Sequence, residues 1–377
     1  MNQTKIYLDT IVFRIQTFGG ASTYWKELLV NYSKLNNINL VIQDDDTNKL
    51  NHDGKSVIDS YRNNRLIVEN KLPVGLLRYM PFTKRLPPAS LYHASYYRVS
   101  FQRDIANIFT VHDFTHKRGY ASRFPRKLVH IGLTAIGLKR ADGIICISEN
   151  TKKDLLHFYP EIEENKVKVI YHGVSDDFHP LQKNSGYKFR DITDLNESYA
   201  LFVGKRGGYK KFDLVPEAIK RNTDLKLFII GGGPLSAAEL ELLENNLPGR
   251  YVKLDNVNNS ELNILYNYAH SLIYTSIYEG FGIPLLEAMK AGCPVVTNQL
   301  SSLGEISGDA ALFIDQINSE ELAKKLSALA DINLRKTLIS KGFDQSAKFT
   351  WDKCAADTYN FYKEIYYKRF SKHLDDL

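Results

Sequence analysis

The chain is poor in cysteine, methionine and tryptophan, with three, three and two in 377 residues, and these scarcities narrow the field first. Cys146, Cys293 and Cys354 lie far apart, two of them in apolar runs. That spacing excludes a disulfide framework and a CxxC metal knuckle, and it suits a reducing cytoplasm. No run approaches the roughly 18 uninterrupted apolar residues of a spanning helix. The opening MNQTKIYLDT lacks the charged-then-apolar pattern of a secretory leader, so a cytoplasmic chain is expected. Neither GxGxxG nor GxxxxGK[ST] occurs, which argues against a dehydrogenase and a P-loop kinase. A Ser/His/Asp signature and a fixed internal repeat are also missing.

What is present is globular in character: 44% hydrophobic and 24% charged residues. At roughly 150 residues per domain the length suggests two domains. Lys plus Arg number 49 against 43 Asp plus Glu, a net charge of +6. That excess is too small for a nucleic-acid binder but suits anionic small molecules or an anionic membrane surface. Tyrosine is abundant at 23. Tyrosine-rich chains often bind carbohydrate by stacking and hydroxyl hydrogen bonds, but AT-rich coding also inflates tyrosine, so the count carries little weight.

Short apolar or β-branched runs read as strands at 5–8, 38–43, 107–112, 143–147 and 167–171. A second set falls at 199–203, 225–230, 251–254, 271–275 and 294–297. Little alternation within them indicates strands buried on both faces of a parallel sheet. Helical patterns lie between, at 21–35, 148–158, 213–221, 236–246, 260–269 and 284–291. Strand–helix alternation twice over predicts two doubly wound α/β domains. The polar, Pro180- and Gly186-bearing stretch 176–197 reads as the linker. Residues 44–104 show no pattern clear enough to assign.

Three glycine-rich strand-to-helix turns could cradle phosphate: Gly19-Gly20, Gly204 to Lys211, and Gly231-Gly232-Gly233. Glycine lets backbone N–H groups approach the anion, and the helix N-terminus favours its charge. The second turn carries Lys205, Arg206, Lys210 and Lys211 within seven residues. The sharpest segment is SIYEGFGIPLLEAMKAGCP at 276–294. A strand ends in a Gly-bracketed turn, and Pro284 stands in the first turn of a helix, where proline is favoured. Glu279 falls in the loop and Glu287 inside the helix. Two carboxylates so spaced can accept hydrogen bonds from vicinal hydroxyls, with phosphate against the N–H groups of Gly280, Phe281 and Gly282. Diol, diphosphate and diol describe a nucleotide sugar. A helix cap with a surface glutamate is the plainer alternative.

This segment matches the E-x7-E pattern of retaining GT-B glycosyltransferases, and the chain resembles glycosyltransferase family 4. The resemblance also rests on HDFTH at 112–116, CISENTKKDL at 146–155, VIYHGVSDDF at 169–178, FVGKRGGYKKF at 202–212 and SSLGEISGDAALFID at 301–315. The basic loop and LYHASYYR at 91–98 are similar to bacterial O-antigen mannosyl- and rhamnosyltransferases. It implies two Rossmann-like domains facing a cleft: an acceptor domain at 1–180, a nucleotide-sugar domain at 181–350, and a last helix at 351–377 crossing back to the first. Glu279 would hold donor-sugar hydroxyls and Glu287 the ribose. Arg206 and Lys210 would neutralise the diphosphate, and Lys211 stands where many relatives have asparagine. His112 would reach the donor sugar, with Asp113 orienting its loop. Gly19 and Gly20 would approach the donor phosphate or the acceptor, and Gly204 would open the basic loop. Catalysis would be front-face substitution with retention, the leaving diphosphate accepting the acceptor's proton.

No cofactor or metal is expected beyond the nucleotide-sugar donor. Asp44-Asp45-Asp46 contains the D-x-D of metal-dependent GT-A enzymes, but it opens a polar loop where solvated acids are the simpler reading. The expected acceptor is a glycan, polyprenyl-diphosphate-linked, at 76–86 or 123–140. In the latter, Arg123, Arg126, Lys127, Lys139 and Arg140 flank an apolar helix suited to peripheral contact with anionic lipid. GDP-mannose is the favoured donor, on resemblance. A GT-B-fold UDP-sugar 2-epimerase and a non-catalytic GT-B subunit are the alternatives.

Overall fold

A computed structural model describes residues 6–374 except 17–18, 36, 43–49, 62–65, 70–71, 121–123, 183–188, 191–197 and 223. The chain divides into two compact units, Met1–Gly173 with Trp351–Leu377, and Val174–Thr350. The first contains strands β1 (Ile6–Asp9), β2 (Ile38–Ile42), β3 (Leu66–Val68), β4 (Leu91–Ala94), β5 (Ala106–Val111), β6 (Gly143–Cys146) and β7 (Val167–Val169). The second contains β8 (Tyr199–Val203), β9 (Lys226–Ile230), β10 (Tyr251–Leu254), β11 (Ser271–Ile273), β12 (Val295–Thr297) and β13 (Ala311–Phe313).

Among the described residues the strand orders are β3-β2-β1-β4-β5-β6-β7 and β10-β9-β8-β11-β12-β13. Every pairing is parallel. The order therefore reverses beside the first strand of each unit, between β1 and β4 and between β8 and β11. Crossovers running in opposite directions there leave a crevice at the strands' carboxyl ends, where ligands bind in doubly wound folds. β1, β2, β4, β5 and β6 are buried throughout, whereas the outermost β3 and β10 are largely half-buried. Burial on both faces accounts for the uninterrupted apolar runs.

Helix Trp351–Phe370 packs into the first unit's core with the helix Gly20–Tyr32, contributing Phe361, Tyr362, Ile365 and Tyr366. Tyr32 Oη donates to the Ala355 carbonyl at 2.7 Å, and His93 Nδ1 lies 2.6 Å from Tyr362 Oη. The last helix thus completes the N-terminal unit. The break falls at Gly173/Val174, not at 180. Val174 N donates to Phe349 O at 3.1 Å, and Asn263 and Asn267 side chains accept from the His179 and Leu181 amides at 3.1 and 2.7 Å. The polar stretch after 173 is therefore part of the second unit, where asparagine side chains satisfy its backbone.

The unassigned region 44–104 contains β3, β4 and the helix His52–Ser60. It also contributes a buried ion network: Arg98 donates to both Glu69 oxygens at 2.8 and 2.6 Å and lies 3.7 Å from Asp9. Asp44-Asp45-Asp46, Arg123 and Gly186 lie outside the described residues.

Candidate active site

The second unit's crevice is framed by two loops, 204–211 after β8 and 274–282 after β11. They are tied to one another: Thr275 Oγ1 donates to the Lys210 carbonyl at 2.9 Å, and Ile277 N to the Tyr209 carbonyl at 2.8 Å. A third segment braces the glutamate turn. Ser301 Oγ accepts from Glu279 N at 2.9 Å, and Ser302 Oγ lies 3.0 and 2.8 Å from the Glu279 and Phe281 carbonyls to which it donates. Gly282, at φ +110°, turns the chain into the helix Ile283–Lys290. A Cβ there would meet Leu285 and Leu303 at 3.1 and 3.2 Å in a conformation L-residues avoid. The Gly280-Phe281-Gly282 turn is thus held at the N-terminus of the helix that contains Glu287.

The structure joins Lys210 and Glu279 directly, in an ion pair whose side chains are only 12% and 15% exposed. Lys210 Nζ also lies 5.3 Å from the Tyr209 and Tyr274 ring centres. Tyr274 is buried and its hydroxyl is held well above its usual pKa, first by burial, then by Glu279 and more weakly by Glu287. Both carboxylates of the E-x7-E pair therefore act on one phenol, which stays protonated.

Burial pushes the Glu287 carboxyl up to about 7, against a bond from Tyr266 Oη, 3.3 Å away. Because the folded-state pKa exceeds the ordinary 4.5, stability from this group is full below pH 4.5 and is lost as pH rises through about 7. Glu287→Gln, which cannot ionise, should therefore stabilise the chain by about 1–3 kcal/mol at pH 8, with the difference vanishing near pH 4.5. Urea midpoints at the two pH values, without added nucleotide, check this. An equal difference at both would contradict it.

Arg206 departs from expectation. Its guanidinium is not turned open toward a diphosphate. Nε donates to Glu239 at 2.8 Å, Nη1 to Gly231 O at 2.9 Å, and Nη2 to Gly233 O and Pro234 O at 3.1 and 2.8 Å. Four bonds occupy most of its five N–H groups, and the side chain is 3% exposed. Arg206 thus clamps the third glycine turn onto the basic loop. Gly232 is required for this: a Cβ there would stand 2.6 Å from Arg206 Nη1 and from Gly204 O. Lys211, left-handed at φ +54°, lines a hollow with Arg206, Phe212 and Glu239, on the clamp's side of the loop. Gly204, at φ +112°, opens the loop and donates from N to Ile230 O at 2.9 Å.

Pattern reading missed Glu239, Tyr266, Tyr274, Ser301 and Ser302. Only Glu239 had a signal, the Ser236-x-x-Glu239 spacing of a capping box, which forms at the helix Ala237–Asn246.

His112, Gly19 and Gly20 belong to the N-terminal unit. Gly19 precedes the helix Gly20–Tyr32, and Tyr24, one turn in, packs edge-on to His112 with ring centres 5.5 Å apart. His172 stacks on Tyr24 at 4.8 Å and approaches His112 at 5.8 Å. Burial lowers the His112 pKa to about 4, with Asp113 opposing weakly, so the imidazole is neutral near pH 7. Its Nε2 has no hydrogen-bond partner among the described residues. A neutral ring with an open nitrogen suits a sugar hydroxyl better than a charge-bearing role. Asp113 Oδ1 accepts from Thr115 N and Oγ1 at 2.7 and 2.5 Å, which fixes the loop as expected.

Among the described residues no cluster of three His, Cys, Asp or Glu could hold a metal ion. Asp176 pairs with Lys290 at 2.5 Å, and Asp177 accepts from Asn259 at 2.8 Å.

Two parallel doubly wound sheets with these switch-point loops define the GT-B glycosyltransferase class. Sucrose-phosphate synthase from Thermosynechococcus elongatus has the same fold, with a TM-score of 0.74 at 18% identity over 97% of this chain and 100% of that one. Residues 18–178 match the Glycosyltransferase Family 4 model and residues 187–345 the model for Glycosyl transferases group 1. The chain belongs to this glycosyltransferase family. Among its relatives, the O-antigen chain mannosyltransferase B of Escherichia coli is 27% identical over 319 residues, 81% of this chain and 80% of that protein. The N-acetylgalactosamine-N,N'-diacetylbacillosaminyl-diphospho-undecaprenol 4-alpha-N-acetylgalactosaminyltransferase of Campylobacter jejuni is 28% identical over 243 residues, 62% of this chain and 63% of that one.

Proposed function

We propose that this glycosyltransferase moves a hexose, with GDP-mannose the favoured donor, to a growing lipid-linked cell-surface glycan with retention of anomeric configuration. The observation that carries the reading is the Lys210–Glu279 ion pair beside Glu287 at the second unit's switch point. On donor binding, Lys210 exchanges Glu279 for diphosphate oxygens, and the freed Glu279 carboxylate accepts from sugar hydroxyls. Glu287, ionised, accepts from the ribose diol. The Gly280–Gly282 turn and its helix N-terminus add positive potential at the phosphates. The acceptor oxygen then bonds to the anomeric carbon on the face from which the sugar–phosphate bond breaks. The departing diphosphate oxygen takes the acceptor's proton, while Lys210 and the helix N-terminus stabilise its charge.

The mannosyl and O-antigen assignment is supported by the Escherichia coli relative, and the lipid-diphosphate acceptor by the Campylobacter relative. Incubating the chain with GDP-mannose and an undecaprenyl-diphosphate-linked saccharide, and reading the product's anomeric coupling by NMR, tests both. An α-linked mannoside from the α-donor is expected. A β-linked product would contradict retention, and an epimerised free sugar from donor alone would favour the epimerase.

A peripheral membrane contact at the cytoplasmic face is supported by the helix Arg126–Arg140. Among the described residues no helix is long and apolar enough to cross a membrane. Yet Leu128, Val129 and Ile136 are 57%, 46% and 44% exposed, between Arg126 at one end and Lys139 and Arg140 at the other, and Phe124 just before the helix is 79% exposed. An apolar stripe with basic ends fits an anionic lipid surface. In liposome flotation the chain should travel with anionic vesicles and be released by salt. Equal retention on neutral vesicles, or none at all, would contradict the contact.

A further inference from the structure

Two segments far apart in sequence, 76–86 and 124–140, meet in the N-terminal unit around His130. The Tyr79 and Tyr97 rings lie 6.0 and 5.5 Å from its ring, and His116 stacks on it at 4.0 Å with 14° between the planes. Arg78 extends the group. Its Nη2 donates to Tyr96 Oη at 2.8 Å, and its guanidinium lies 5.0 and 5.3 Å from the Tyr79 and Tyr96 ring centres. Tyr96 and Tyr97 are themselves 4.3 Å apart.

Two polar atoms here are buried without a hydrogen-bond partner among the described residues: Arg78 Nε and His130 Nδ1. Buried polar atoms are ordinarily paired, so orphans in a partly open cluster point to a missing ligand. The local charge says of what kind. Burial, then His116, Arg78 and Arg126, lower the His130 pKa to about 4. Burial also lowers that of His116, where Arg78 adds to the effect and Asp113 opposes it. Asp113, the acid among these, already holds the Thr115 amide and hydroxyl. An anion would pair with the Arg78 guanidinium, receive its unused N–H and favour protonation of the two imidazoles beside it. The half-buried faces of Tyr79, Tyr96 and Tyr97 offer flat apolar surface of the kind sugars stack on. Beside them, Leu76 precedes Arg78 and is 55% exposed, and Leu128, two residues before His130, is 57% exposed.

We propose that Arg78, Tyr79, Tyr96, Tyr97, His116 and His130 form the acceptor subsite, and that the acceptor presents a phosphate-linked saccharide. The phosphate contacts Arg78 Nε and His130, the sugar stacks on the tyrosines, and an apolar stem lies along Leu76 and Leu128. This rests on the transferase reading above and assigns the residues that hold the acceptor's phosphate, sugar and stem.

Histidine-selective NMR on the full chain, with nucleoside diphosphate saturating the donor site, tests the subsite. Three probes are compared: inorganic diphosphate, a polyprenyl-diphosphate-linked saccharide in detergent, and the same saccharide without phosphate. The first two should raise the titration midpoints of His130 and His116 by a unit or more, the third should not, and Arg78→Ala should abolish the response. In transfer assays Arg78→Ala should raise the acceptor KM at least tenfold with the donor KM unmoved, and Arg78→Lys should recover part of it. Midpoints indifferent to both phosphate-bearing probes, or an unchanged acceptor KM in Arg78→Ala, would overturn the subsite while leaving the transferase standing. A wild-type chain that binds no nucleoside diphosphate would overturn the transferase reading and this inference with it.

Discussion

Replacing Glu279 by alanine should lower kcat/KM for sugar transfer by about 10²–10³-fold, the range seen when one well-placed polar contact to a transition state is lost. Two effects combine. The donor sugar loses a carboxylate that accepts from its hydroxyls, and Lys210 loses its partner in a site where both side chains are largely buried. A buried charge left alone is destabilising, by about 2 kcal/mol for a pair with this residual exposure. Glu279→Ala should therefore also lower the melting temperature, and Lys210→Ala should lower it similarly. The double variant should be more stable than the sum of the two losses implies, because no charge is then left unpaired. Additive melting shifts would show that the ion pair does not couple the two side chains. Unaltered transfer by Glu279→Ala would remove Glu279 from the site.

Arg206→Ala should be the most destabilising single change among the site residues, by about 3–5 kcal/mol, because it strands several partners at once. Glu239 loses its guanidinium, and the Gly231, Gly233 and Pro234 carbonyls lose their donor. For a unit of this size such a loss corresponds to a fall on the order of 10 °C in its melting temperature. Arg206→Lys should recover little, since a single ammonium cannot serve carboxylate and carbonyls in the geometry of a planar fork. Calorimetry reads this directly. A melting temperature within a degree or two of wild type would contradict the clamp and return Arg206 to a purely electrostatic role at the diphosphate. The two arginine and lysine positions thus separate by phenotype. Lys210 variants should lose transfer with a modest stability change, whereas Arg206 variants should lose both together.

The legibility of this chain follows from where its polar groups go. The strands Tyr199–Val203, Lys226–Ile230, Ser271–Ile273 and Val295–Thr297 were readable because both faces of a parallel sheet are covered, leaving uninterrupted apolar runs. The site loops were readable for a related reason: glycine and proline stand where a strand must turn into a helix beside a ligand. Residues 44–104 were not, because β4 contains His93, which is buried between Tyr362 and Thr110, and because Glu69 and Arg98 satisfy one another 29 residues apart. A buried polar residue looks like a loop residue until its partner is known. Residues 174–182 misled in the same way, their backbone groups being satisfied by Asn263 and Asn267. At the site the pattern showed Arg206 as positive charge but not its destination. A guanidinium's partners are set by tertiary approach, here by Gly232, whose missing side chain lets it reach the turn.

The proposed transfer requires that a nucleoside diphosphate be held at the second unit's switch point by Lys210, with Glu287 on the ribose. Titrating GDP and UDP into the full chain by calorimetry, wild type beside Lys210→Ala and Glu287→Gln, tests it most directly. Saturable binding of one nucleotide is predicted, at least tenfold weaker in each variant, equivalent to about 1.4 kcal/mol or more. Binding of equal strength in all three proteins would contradict it.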